Sequence, residues 1–123
     1  MDKTTLDFVF DNCPCVNLGK AIRNSTRFFD DLLSPLGLNA SKLILFVSIE
    51  RIKEEGATQK KLSEDLSIQQ SSLSRSLSEL KNKGWIDYKK EQVGTKTINK
   101  IFLSPQGEEL LEKAVPILSL IHI

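Results

Sequence analysis

The most distinctive residues for chemistry in this chain are a hydroxyl-rich run around one arginine. In Gln70-Ser71-Ser72-Leu73-Ser74-Arg75-Ser76-Leu77-Ser78, with Leu80 beyond, the leucines at 73, 77 and 80 have the spacing of one buried helical stripe. Ser71, Arg75, Ser78 and Asn82 then fall on the opposite side, flanked by Gln70, Ser72 and Ser74. A helix face under pressure only for solubility would favour Glu and Lys, which are better helix formers than serine. Small hydroxyl side chains let a helix sit deep in a major groove, where they can meet phosphates or base edges. A guanidinium can fork onto guanine or a phosphate. The expected DNA-reading set is Gln70, Ser71, Ser72, Ser74, Arg75 and Ser78. The plain alternative is a serine-rich surface helix with no partner.

Four lysines form a second group: Lys89, Lys90, Lys96 and Lys100. Lysines that neutralise phosphates add affinity without reading sequence, and they make binding fall with salt. The alternative is a solvated hairpin that uses lysine for solubility and edge protection. The charge distribution leans toward the first reading. Residues 1–55 hold seven Lys/Arg against eight Asp/Glu, residues 56–100 nine against five, and residues 101–123 one against three. Positive charge is thus concentrated in the middle of a chain whose formal net charge is only +1.

The third group is Cys13 and Cys15, the only thiols. A Cys-x-Cys pair is strained for a structural disulfide and supplies too few ligands for a closed zinc site. Thiols near a helix start can have a depressed pKa, so a redox-sensing role is one reading of the pair. Two small packed residues are the other.

Enzyme chemistry has little support. Asp30-Asp31 and Glu108-Glu109 are sequence neighbours that point to different helix sectors, and His122 is the only histidine. There is no P-loop, no Gly-x-Gly-x-x-Gly and no nucleophile elbow. We expect no enzyme activity, no cofactor and no metal.

The elements that must position these groups follow from periodicity. A length of 123 residues suits one domain with a real core, and 40% apolar with 27% charged residues is ordinary for a globular protein. No apolar run approaches a membrane span, and Met1 to Asp11 lacks the greasy core of a secretory signal. The expected setting is cytoplasmic, with no membrane partner. Residues 1–14 read as an arm or short helix. A helix from about Val16 to Leu33 carries Leu18, Ile22, Phe29 and Leu33 near one face, and Ser34-Pro35-Leu36-Gly37 ends it. Asn39 or Ser41 caps a helix to about Glu54 with Leu45, Phe46, Ile49 and Ile52 inward, stopped by Gly56. Thr58 caps a short helix bearing Leu62 and Leu66, and Ser67-Ile68-Gln69 turns into the helix that ends near Lys83-Gly84.

Trp85-Ile86-Asp87-Tyr88 then starts a strand, and Thr97 to Leu103 reads as its partner, with an exposed basic loop from Lys89 to Lys96. Ser104 caps a last helix with Pro105 at its first position, and Leu110, Leu111, Ala114 and Leu118 form its apolar side. Pro116 is expected to kink or weaken it. The order is that of a winged helix-turn-helix, α+β but mainly α. It divides into an N-terminal arm and helix over 1–38, a winged helix-turn-helix over 39–104, and a C-terminal helix over 105–123.

The sequence resembles the MarR family of bacterial winged-helix regulators. The strongest stretch runs from Leu66 to Leu77, continuing through Lys83-Gly84-Trp85-Ile86, where a hydroxyl-rich turn leads to an arginine, leucines, a glycine and an apolar strand start. Leu103-Ser104-Pro105-Gln106-Gly107 is similar to the family's Leu-Thr-x-x-Gly junction. Cys13-Pro14-Cys15 with Arg23, Phe29-Asp30 and Pro35-Leu36-Gly37-Leu38 resembles one branch with a Cys-x-Cys start to its first helix. The likeness implies a homodimer, built through the N- and C-terminal helices, on a pseudo-palindromic duplex. It implies reading helices in successive major grooves, wings in the flanking minor grooves, and a response to a small-molecule effector or oxidant, commonly as a repressor.

Three features depart from the pattern. Thr95-Lys96-Thr97 stands where the family often has Asp-Arg-Arg, Gln69 replaces an often acidic cap, and the C-terminal helix is short. Ser119-Leu120-Ile121-His122-Ile123 resembles translated sequencing-adapter sequence. Two other readings stay open at this point: a winged helix used as a protein-interaction module, and a truncated, DNA-incompetent fragment of a regulator.

Overall fold

The computed structural model describes residues 2–121, with side chains described through Ile117. Met1, His122 and Ile123 lie outside the described residues, as do the side chains of the 118–121 segment, including Leu118. The chain divides into two compact units, Met1–Ala40 and Ser41–Ile123.

The first unit holds α1 (Lys3–Asn12), α2 (Pro14–Leu33) and a 3-10 turn (Ser34–Leu36). The N-terminal segment is therefore a helix, capped by Asp2, whose carboxylate accepts from the Thr4 N–H at 3.2 Å. Helix α2 starts two residues earlier than its periodicity suggests, because Pro14 fits the first position of a helix. It passes at Ser34 into the 3-10 turn, which ends where Gly37 takes the left-handed φ of 74°. Leu33 and Leu38 are buried, but Leu18 and Ile22, which fall near the same helical face as Leu33, are exposed. They join Leu6, Phe8, Val9, Phe10 and Phe28 as exposed apolar residues of this unit. The Asp30 carboxylate accepts from the Ala40 N–H at 2.7 Å and so satisfies an orphan donor at the next helix start.

The second unit contains α3 (Ala40–Arg51, from its second residue onward), α4 (Gln59–Leu66), α5 (Gln70–Asn82), β1 (Ile86–Val93), β2 (Lys96–Leu103) and α6 (Pro105–Ile121). Its core is Leu43, Leu45, Phe46, Ile49, Ile52, Leu62, Leu73, Leu77, Leu80, Ile86, Ile101, Leu103 and Ala114. Helix α5 contributes one leucine stripe, as its spacing requires, whereas α3 is apolar on more than one side, with Ile44 and Val47 exposed. Thr58 caps α4, its hydroxyl accepting from the Lys61 N–H at 3.1 Å. Ser67, with φ 53°, closes α4 in the left-handed conformation, and the Ile68 N–H reaches back to the Ser63 carbonyl. That turn sends the chain directly into α5.

The hairpin is longer and tighter than its sequence suggests. Val93 pairs with Lys96, so the region expected as a loop is mostly regular ladder closed by a two-residue turn. Gly94 has φ 65° while Thr95 has no positive φ, the arrangement of a type II′ turn, which needs glycine first. Ala57 forms a bridge to Ile101, with the Ile101 N–H donating to the Ala57 carbonyl at 2.7 Å. This ties the residue before the Thr58 cap of α4 to strand β2 of the wing. Helix α6 runs through Pro116 without ending there.

Candidate nucleic-acid interface

Helix α5 exists because Leu73, Leu77 and Leu80 bury one stripe at 1% exposure or less. That burial fixes the rotation of the helix, and the rotation sets which residues face solvent. Gln70, Ser71, Ser72, Ser74, Arg75 and Ser78 are all exposed. The six residues expected to read DNA therefore share the solvent side of one helix, and its first three turns present hydroxyls around one guanidinium. Gln69 makes no side-chain cap bond at the helix start.

Sequence reasoning missed a brace at this point. The Gln59 side-chain amide donates to the Gln70 carbonyl at 3.2 Å, joining the first residue of α4 to the first of α5. Its only signal in the sequence is a long polar side chain just after the Thr58 cap. The beginnings of both helices of the helix-turn-helix are thereby held together.

The wing lysines are not equivalent. Strand residues alternate between faces, and directly paired residues share one. The register pairs Lys89 with Lys100, Glu91 with Ile98 and Val93 with Lys96. Lys89, Lys96 and Lys100 therefore share a face with Asp87 and Glu91, whereas Lys90 belongs to the other face, the one that carries Ile86 and Ile101. Lys89, Lys90 and Lys96 are exposed. Lys89 also lies over the Phe102 ring, 5.0 Å from its centroid. Lys100 sits differently: it pairs with Glu91, and its side chain is only 25% exposed. Its stem lies so close to Gly56 that a β-carbon there would meet it at 2.6 Å. Lys100 is thus engaged by Glu91, which leaves Lys89, Lys90 and Lys96 as the exposed lysines of the wing.

Cys13 and Cys15 are both free thiols, half-buried and exposed respectively. Cys13 is the N-terminal flank of α2. Backbone N–H groups of Val16 and Cys15 favour its thiolate and hold its pKa below the ordinary thiol value; partial burial opposes them, and the Cys15 side chain adds a smaller lowering. Among the described residues no group of three or more His, Cys, Asp or Glu could hold a metal ion, and no single helix is long and apolar enough to cross a membrane. A cleft of about 490 Å³ between α3 and α6 is lined by Glu50, Lys53, Glu108, Leu111, Glu112, Val115 and Pro116.

No protein-family model matches the sequence, and no curated protein matches it. Solved structures do match the fold. The transcriptional regulator MosR of M. tuberculosis, solved in complex with DNA, has a TM-score of 0.76 at 22% identity, with 90% of this chain and 78% of that chain covered. MepR of S. aureus, solved as a DNA complex, has a TM-score of 0.80 at 16% identity, covering 91% and 79%. A mutant MarR of E. coli complexed with operator DNA has 0.73 at 22% identity, covering 86% and 74%. The chain has the winged helix-turn-helix fold of these MarR-type regulators.

Proposed function

We propose that this chain is a sequence-specific DNA-binding transcriptional regulator that acts as a homodimer on a pseudo-palindromic operator and represses by occupying it. The observation that carries this reading is the exposed face of α5. Its hydroxyls and Arg75 point away from the leucine stripe, and the freely exposed wing lysines extend the same unit. In this reading Ser71, Ser72 and Ser74 approach phosphates and base edges, Gln70 and Arg75 read bases, and Ser78 bonds the backbone. Lys89, Lys90 and Lys96 neutralise flanking phosphates. Lys96 acts as a point charge where an arginine would fork. Solved neighbours of the same fold that carry DNA support the assignment.

The dimer is supported by the first unit. Leu6, Phe8, Val9, Phe10, Leu18, Ile22 and Phe28 are exposed on two helices, more apolar surface than a monomer of this size usually offers to water. A two-fold dimer would place two copies of α5 about one helical turn of DNA apart.

Regulation by an oxidant rests on Cys13. Its thiolate attacks a peroxide, forming the S–O bond of a sulfenic acid as the O–O bond breaks and hydroxide leaves. The cleft between α3 and α6 is of a size that takes a small effector. A shift assay with and without peroxide tests the first idea. Loss of DNA binding in the parent chain but not in Cys13→Ser is expected, and equal behaviour of the two would remove the sensor.

Gel-shift titration of the whole chain on selected and random duplexes tests the regulator itself. Binding should be tighter on the selected duplex and should weaken steeply as salt rises. A winged helix used only for protein contacts would bind neither.

A further inference from the structure

The cleft between α3 and α6 has a lining of definite chemistry. Its volume of about 490 Å³ suits one small organic molecule. Glu108, Leu111, Glu112 and Val115 follow one another at i, i+3, i+4 and i+7, so α6 presents them as a single stripe. That stripe runs beside the side of α6 that buries Gly107 and Ala114. Acids and aliphatic groups thus share one wall, and Val115 is 43% exposed on it. The end of α3 and the turn after it supply Glu50 and Lys53.

This lining is rich in acceptors, and its one ammonium is already engaged. The Lys53 Nζ donates to the Glu50 Oε1 at 2.6 Å. The Lys53 pKa is held above the ordinary lysine value first by that hydrogen bond and then by the Glu50 charge; Glu108 and Glu54 add to the shift and slight desolvation opposes it. Neither Glu108 nor Glu112 forms an ion pair among the described residues. Glu109 does, with Lys113, and neither of those two lines the cleft. Pro116 adds a further acceptor: it has no N–H to give to the Glu112 carbonyl one turn back. Three carboxylates against one ammonium leave the cleft net negative. An anionic occupant would meet like charge, and a neutral one would leave the carboxylates unused. A cation with N–H groups bonds them, while its apolar body lies on Leu111, Val115 and Pro116.

We infer that this cleft selects an amphipathic organic cation, an assignment that rests on the effector reading of the cleft given above. The ammonium or amidinium group is held by Glu108 and Glu112, and the apolar part packs against Leu111, Val115 and Pro116. Glu50 keeps the Lys53 charge occupied, so that it does not neutralise the α6 acids. None of these residues lies in α5 or the wing, so occupancy is measurable without DNA.

Benzamidine, benzamide and benzoate have nearly one shape and differ in charge, so together they separate the two effects. Each is titrated into the ¹⁵N-labelled whole chain, and the backbone amide shifts are followed. Benzamidine should give saturable shifts centred on the end of α3 and on residues 108–116 of α6. It should bind about fivefold more tightly than benzamide, with benzoate weakest. Glu108→Gln and Glu112→Gln should each weaken benzamidine by about threefold, and Glu109→Gln should leave it unchanged. Both lining carboxylates are exposed, so these substitutions leave the core intact, and thermal melts by circular dichroism check it. Benzamide or benzoate saturating the same amides as tightly as benzamidine would overturn the cation assignment and leave the effector cleft standing. Benzamidine binding unchanged by the combined Glu108→Gln and Glu112→Gln substitution would overturn the assignment as well. Absence of saturable shifts with all three probes would overturn both the assignment and the effector reading beneath it.

Discussion

Gly107 lies directly against the carbonyl oxygen of Trp85: a β-carbon at position 107 would sit 2.2 Å from that oxygen. No side chain fits such a gap, so the first turn of α6 can approach the start of the strand only through glycine. The contact belongs to a small lock. The Ser104 hydroxyl donates to the Gly84 carbonyl at 2.6 Å and accepts from the Gly107 N–H at 3.2 Å. The Leu103-Ser104-Pro105-Gln106-Gly107 junction therefore joins three elements: the end of α5, the start of β1 and the start of α6.

Gly107→Ala should destabilise the fold by about 1–3 kcal/mol, because the clash is with backbone, which cannot swing away. Urea denaturation followed by circular dichroism measures it. A midpoint equal to the parent's would mean that the close approach is not maintained.

Ser104→Ala removes a helix cap and leaves the Gly84 carbonyl without its hydroxyl donor. The expected cost is about 1–2 kcal/mol, read from the same denaturation curves. Thr at this position should keep both bonds and most of the stability.

The lock also bears on what the sequence can and cannot reveal. The leucine stripes of α5, the Thr58 cap and the Ser104-Pro105 start are local, and spacing alone identifies them. The same is true of the alternation of Ile101 and Leu103 in β2. What escapes depends on distant partners. Nothing near Asp30 signals that it will satisfy Ala40, and nothing near Lys100 signals that Glu91 and Gly56 will occupy it. The wing reads as a loop in the sequence because its polar residues hide a two-residue turn, which becomes visible only through the φ of Gly94 and the pairing of Val93 with Lys96. Leu18 and Ile22 have helical spacing but are exposed, since periodicity identifies a face without saying what covers it. The proposed reading face is the most legible feature, because burial of three leucines leaves the serines and Arg75 only one direction to point.

Two substitutions should separate reading from anchoring. Arg75→Ala should cost about 1–3 kcal/mol on the selected duplex and relax preference at one base position. Lys96→Ala should weaken binding about equally on all duplexes and lower the salt slope by about one unit. Salt-titrated binding curves on matched and mutated duplexes distinguish them; an Arg75→Ala variant with unchanged preference would remove Arg75 from the reading set.

The Cys13 thiol gives a pH signature. Its pKa is lowered in the fold, chiefly by the Val16 and Cys15 backbone N–H groups, so thiolate persists to lower pH than in the unfolded chain. The associated stability is present above the unfolded pKa and is lost as pH falls through the folded one. In a Cys15→Ser background, the alkylation rate of Cys13 by iodoacetamide should reach half its maximum at a lower pH in native protein than in urea. Coincident profiles would show that the helix start does not activate the thiol.

Selection of bound sequences from a random duplex pool, using the whole chain, bears most directly on the central proposal. Recovered duplexes should share a motif repeated with two-fold symmetry, with half-site centres about 10 base pairs apart. Recovery of unenriched sequence, or no retention of duplex even at low salt, would contradict the assignment of α5 as a reading helix.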